Sequence, residues 1–200
     1  MAQRQANSAE AVAAAKSEAE WNVIKLDSLS ISLAAGFVYY GYHYLPIPTP
    51  ATVTHLSEHL LYALKWQLPS VLLIAWAVIN VIMKRLEFTA YDPLKQPDTK
   101  AAADILEVHR RFLSNTVEQY VINGPALLML SLYLTPRQLK VIPLLVAVFF
   151  VGRVAFLYGY LSPQKARTNR GFGFAITLLP SVIVLFYVTW CFVCEFLAAL

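Results

Sequence analysis

The chain is 200 residues long, 58% hydrophobic and 14% charged, with a net charge of +4 and a mean hydropathy of +0.54. So apolar a composition excludes a soluble domain and points to an all-α integral membrane protein. Two cysteines exclude a disulfide scaffold, and the basic excess sits on alternate loops, which reads as membrane topology and not as affinity for nucleic acid.

Residues 1–27 are Ala-rich, balanced in charge and without the apolar stretch of a signal peptide, which predicts a cytosolic tail with a short helix. Residues 28–59 hold a first apolar segment, Leu29 to Leu45, and a loop; the segment is short and rich in tyrosine. A second segment covers Leu60 to Met83, interrupted by Lys65 and Pro69. The third spans Phe112 to Leu134, the fourth Leu139 to Leu161 and the fifth Phe172 to Leu200. The last four each reach the roughly 20 residues that cross about 30 Å of hydrocarbon. Pro69, Pro125, Pro143 and Pro180 inside them are tolerated where neighbouring helices satisfy the freed carbonyls.

Lys and Arg concentrate in the tail, in 84–111 and in 165–170, and are absent from 46–59. This predicts five crossings with a cytosolic N-terminus and a lumenal C-terminus, in the endoplasmic reticulum or another endomembrane. In the cytosolic loop 84–111, Asp98 or Thr99 is placed to cap a helix over 101–111 that runs into the third span.

Glu118 and Arg153 lie where a bilayer makes charge expensive, so they are functional candidates by default. Arg111, Asn115 and Glu118 are spaced i, i+4, i+7, one stripe on a helix. One reading is an ion pair between Glu118 and Arg153 that sets helix register. The other is a pocket: Arg111, Asn115, Glu118, Arg153 and Arg170 share one half of the membrane, with Tyr160 one heptad after Arg153, and the surplus of cations suits an anionic ligand.

Arg111-x-x-x-Asn115-x-x-Glu118, then Val151-Gly152-Arg153-Val154-Ala155 followed by Tyr160, then Arg170 opening a segment that reaches Leu179-Pro180, resembles the MAPEG superfamily, the membrane-associated proteins in eicosanoid and glutathione metabolism. The resemblance covers Leu60 to the C-terminus. It implies a four-helix MAPEG-type bundle over 60–200 preceded by one extra transmembrane helix, and a homotrimer that binds glutathione between protomers near the cytosolic face. By the same resemblance Arg111, Asn115, Glu118, Arg153, Tyr160 and Arg170 are ligand-binding positions. Arg170 would stabilise a thiolate, and the activity would be a glutathione transferase or peroxidase reaction on a lipophilic partner. Ser114, Phe156, Gly171 and Phe174 depart from the pattern, the last three by withholding groups near the thiol. Val117-Glu118-Gln119 and Arg170-Gly171-Phe172-Gly173-Phe174 look most like the mattrin-like branch, which also has a helix before the core and is not established as an enzyme. That implies the alternative: a non-catalytic scaffold or trafficking protein whose polar seam is structural or binds lipid.

Two further signals carry less. His55-Leu-Ser-Glu58-His59 spells a zinc-protease motif, but at the mouth of a span it reads as a helix start, and no metal is expected. Cys191 and Cys194 on one helix are placed as buried thiols, and Gly171-Phe172-Gly173 as a close helix approach.

Overall fold

The computed structural model describes residues 2–50, 55–89, 97, 99–161 and 168–200, with side chains described from 17 onward except 19, 20, 23, 89, 160, 161 and 168–170. Among them are six α-helices: α1 (Ala2–Tyr44), α2 (Leu56–Trp66), α3 (Leu68–Thr89), α4 (Lys100–Tyr133), α5 (Val141–Leu161) and α6 (Thr168–Ala198). A single 3-10 turn, Gln138–Lys140, leads into α5. The protein is an all-α integral membrane protein. Leu56–Phe88, Gln138–Gly159 and Gly171–Ala198 are each long and apolar enough to cross a bilayer on that ground alone. Helix α4 is more polar, but it packs against α2, α3, α5 and α6 and so lies within the same bundle.

The expected boundary between a tail at 1–27 and a first span at 28–59 is not marked by any break, because α1 runs unbroken through it. The segment has no proline, and its first glycine is Gly36, so nothing interrupts a run of good helix formers until Pro46 ends it. The second half of α1 packs on α5 and α6, with Ala34 against Val148 and Ile176. Its end is pinned from the 3-10 turn, where Lys140 Nζ donates to the Tyr42 carbonyl (2.5 Å) and lies 4.5 Å from the Tyr42 ring centroid. Lys140→Met is therefore expected to free the end of α1 while the rest of the bundle holds. Hydrogen exchange should rise over residues 38–45 alone, consistent with losing a charged hydrogen bond of about 1.5–3 kcal/mol.

The span Leu56–Phe88 is split. Pro69 has no N–H to return to the Lys65 carbonyl, and α2 hands over to α3 through a turn at Gln67, whose N–H bonds to the Leu64 carbonyl (3.1 Å). His55 is the N-cap of α2, and its N–H donates to Glu58 Oε2 (3.4 Å), while His59 Nδ1 lies 2.8 Å from the Ser131 carbonyl on α4. The protease-like motif is thus a helix cap and an interhelical tie; among the described residues no three His, Cys, Asp or Glu side chains converge as metal ligands.

Helix α4 opens as the sequence predicts, with Thr99 Oγ1 accepting from the Ala102 N–H (3.2 Å). Helices α5 and α6 make the most extensive pairing in the bundle. A Cβ on Gly173 would strike the backbone of Phe156, and one on Gly152 would meet Thr177 and Ile176, so both glycines are needed where the helices cross. Gly171 faces open space, so only one glycine of the Gly171-x-Gly173 pair serves the close approach. The expected burial of the thiols is not found: Cys194 is exposed and Cys191 partly so, in the last turns of α6.

Candidate functional site

Each residue of a helix advances about 100°, so Asn115, Gln119 and Asn123 form a stripe drifting one way, while Glu118 falls about 60° to the other side of Asn115. Packing selects between the two flanks. Phe112, Thr116, Gln119, Asn123 and Leu130 are buried, which centres the inner face of α4 on the first flank. Arg111 and Glu118 are exposed, and Asn115 lies half-buried on the border.

Arg153, on α5, is completely buried. Its Nη1 donates to Asn115 Oδ1 (2.7 Å), and its Nη2 donates to the Gly173 carbonyl (3.1 Å) and to Thr177 Oγ1 on α6. The Phe156 ring centroid lies 4.5 Å from the guanidinium carbon, a cation–π contact. The Thr177 hydroxyl in turn donates to Gln119 Oε1. One turn further on, Asn123 Nδ2 donates to Ser181 Oγ (2.8 Å), and Ser181 Oγ donates to the Thr177 carbonyl (2.7 Å). A ladder of amides and hydroxyls, headed by one guanidinium, thereby ties α4, α5 and α6 together.

The Glu118–Arg153 ion pair anticipated from the sequence is not formed among the described contacts. Glu118 accepts from Ser114 Oγ (2.9 Å) on the outer face of α4, and Arg111 Nε pairs with Glu107 Oε1 (2.7 Å) on that same side. The cause is angular: with Asn115 at the border of the buried face, a residue about 60° to its outer side cannot reach inward to α5. Of the six expected ligand positions, the structure brings Asn115 and Arg153 together and sets Arg111 and Glu118 beside them on the surface. The side chains of Tyr160 and Arg170 lie outside the described residues; their helices place them at the end of α5 and the start of α6.

Gln119, Asn123, Thr177 and Ser181 were not anticipated. Their signal was present as two i, i+4 runs, Asn115-x-x-x-Gln119-x-x-x-Asn123 on α4 and Gly173-x-x-x-Thr177-x-x-x-Ser181 on α6. Uncharged side chains raise no alarm in a search for intramembrane charge, so the runs pass as ordinary helix surface.

At the end of the bundle nearest Arg111, Lys84 pairs with Glu87 (2.7 Å). Burial, followed by the charge of Lys84, holds the His109 imidazole below its usual range, so it is neutral at neutral pH. Chemically, the ladder is one guanidinium among neutral amides and hydroxyls, with no carboxylate or imidazole among its members to serve as a general acid or base. On the far side of α5 a groove of about 640 Å³, lined by Leu68, Leu72, Trp76, Phe150, Val154 and neighbouring apolar side chains, lies against α3.

Residues 63–190 match the MAPEG family. Transmembrane protein 79 of Bos taurus is 28% identical over 150 residues, covering 75% of this chain and 36% of that protein, and Transmembrane protein 79 of Mus musculus is 28% identical over 148 residues, covering 74% and 36%. The chain thus spans about a third of the length of these relatives. No solved structure matches. With residues 63–190 matched, more than half of the chain, this membrane protein belongs to the MAPEG family, on its mattrin-like branch.

Proposed function

We propose that the protein binds glutathione, or a similar anionic thiol, on the outer polar face of α4, and that it acts as a binding protein and not as an efficient transferase. The observation that carries this reading is the arrangement of Arg111, Ser114 and Glu118 on the surface beside half-buried Asn115, whose amide is held by the buried Arg153. A guanidinium and a carboxylate in one strip suit the two ends of a ligand bearing both a carboxylate and an ammonium group. One protomer offers a strip and not an enclosure, so the site as proposed is closed by a second copy, in a homotrimer. The proposal places this face toward the cytosol in an endomembrane, and a lipophilic partner in the apolar groove between α3 and α5. Arg153 is a positioning residue in this scheme, since its Nη1 and Nη2 donate to Asn115, Gly173 and Thr177. Conjugation or peroxide reduction needs a thiolate, and a thiolate needs a nearby donor or cation. By resemblance Arg170 is the residue for that task, while Phe156, Gly171 and Phe174 bring no hydroxyl to it.

The competing reading is a non-catalytic membrane scaffold in which lipid or another copy covers the strip. The inward pairing of Arg153 favours it, because both terminal nitrogens of the buried guanidinium donate to groups of the chain itself. Calorimetric titration of glutathione into the nanodisc-embedded protein separates the two. Saturable binding that falls at least tenfold in Glu118→Gln and Arg111→Ala, each losing a charge-assisted contact of about 1.5–3 kcal/mol, supports the binding site. No saturable binding to the wild type leaves the scaffold, and turnover of an electrophile panel would overturn the restriction to binding.

A further inference from the structure

The break between α2 and α3 falls inside a membrane crossing, about a third of the way along it, and irregular backbone within the bilayer persists only where protein or water meets its polar groups. The side chains there are polar. Gln67 is 2% exposed, and neither its Oε1 nor its Nε2 has a hydrogen-bond partner; Ser70, fully buried one turn on, has none for its hydroxyl. Facing helix α4 repeats the pattern. Thr116 Oγ1, Gln119 Nε2 and Asn123 Oδ1 are buried and unpartnered, although Gln119 and Asn123 each use their other amide atom toward α6.

Helix register brings these residues to neighbouring levels of the bundle. The crossing and α4 run antiparallel in a register that sets His59 beside Ser131, groups Ala63 with Leu127 and Leu130, and sets Trp76 edge-on to Phe112 with ring centroids 6.3 Å apart. Between those anchors, Gln67 comes level with Asn123 and Ser70 level with Gln119, within about one turn. Six unpaired polar atoms, mixing donors and acceptors and carrying no charge, therefore line one seam. Each left unpaired costs about 1–3 kcal/mol, which excludes an apolar guest. The set contains no counter-charge for an ion, which leaves a small neutral hydrogen-bonding guest.

We infer that the seam between the α2–α3 break and α4 binds a cluster of ordered water, about two or three molecules at two to four hydrogen bonds each. The water completes Gln67, Ser70, Thr116, Gln119 and Asn123. It extends the polar ladder of Arg153 across to the broken helix, so that one hydrated column links all the helices of the family domain.

The test uses the protein in lipid nanodiscs. Water-edited solid-state NMR of the wild type should show magnetisation passing from water to the side-chain amides of Gln67 and Gln119. Gln67→Leu, and more mildly Ser70→Ala, should shift the thermal unfolding midpoint downward, because each strands water and the α4 groups it serves. A dry seam predicts no transfer and an upward shift on Gln67→Leu, since two unpaired atoms then leave the core. Absence of transfer overturns the inference whichever way the midpoint moves, including the case in which Gln67 pairs directly with Asn123. An upward shift for both variants overturns it as well. Should Gln67→Leu fail to fold, the wild-type spectrum and Ser70→Ala still decide.

Discussion

Arg153→Lys is expected to destabilise the folded protein by about 2–5 kcal/mol, although it keeps the charge. The guanidinium spans three partners at once: Asn115 on α4, and the Gly173 carbonyl and Thr177 hydroxyl on α6. An ammonium offers three donors on one atom and cannot reach both helices from a single position. At least one charge-assisted hydrogen bond, worth about 1.5–3 kcal/mol, is lost, together with part of the stacking on Phe156. Asn115→Leu acts on the same network from the other side, leaving Nη1 buried beside a hydrocarbon. Because the two changes strike one shared contact, the double variant should be more stable than the sum of the single losses by about 1–3 kcal/mol. Reversible unfolding in nanodiscs or mild detergent measures this cycle. Strict additivity, or an Arg153→Lys protein as stable as wild type, would show that the ladder does not hold α4 to α5 and α6.

Gly173→Ala carries the second large effect. Its new methyl would fall on the backbone of Phe156, which has no rotamer by which to move aside, so α5 and α6 must separate. Overpacking of this kind costs about 1–3 kcal/mol. Here the same displacement also stretches the Arg153–Gly173 hydrogen bond, so the loss should lie at the upper end of that range or beyond it. Gly171→Ala is the matched control. Nothing lies within 4 Å of its new Cβ, and alanine is the better helix former by about 0.5–1 kcal/mol, so this variant should be neutral or slightly stabilised. Equal effects at the two positions would mean that the α5–α6 crossing is not as close as described.

The helices themselves were legible, for reasons that can be named residue by residue. Proline at 46 stops α1, Thr99 caps α4, and apolar runs of bilayer length mark the crossings. The family was legible too, because Arg111, Asn115, Glu118 and Arg153 stand in one ordered pattern of motifs along the chain. The partnership of Arg153 was not. Asn115 belongs to two stripes, one shared with Arg111 and Glu118 and one with Gln119 and Asn123, and both satisfy helical spacing. A search for intramembrane charge favours the first stripe; the packed bundle buries the second.

The sequence alone determines a membrane-embedded helical chain of the MAPEG family with charge at membrane depth, at Glu118 and Arg153, because composition, breakers and motif spacing are properties of the chain by itself. Which side of α4 turns inward depends on α5 and α6. The bare crossing at Gly152 and Gly173 lets them approach closely, and it brings Thr177 and Ser181 within hydrogen-bonding reach of Gln119 and Asn123. Helical periodicity defines a stripe without saying what covers it, and only tertiary packing decided that Arg153 meets an amide and a hydroxyl while Glu118 is left on the surface.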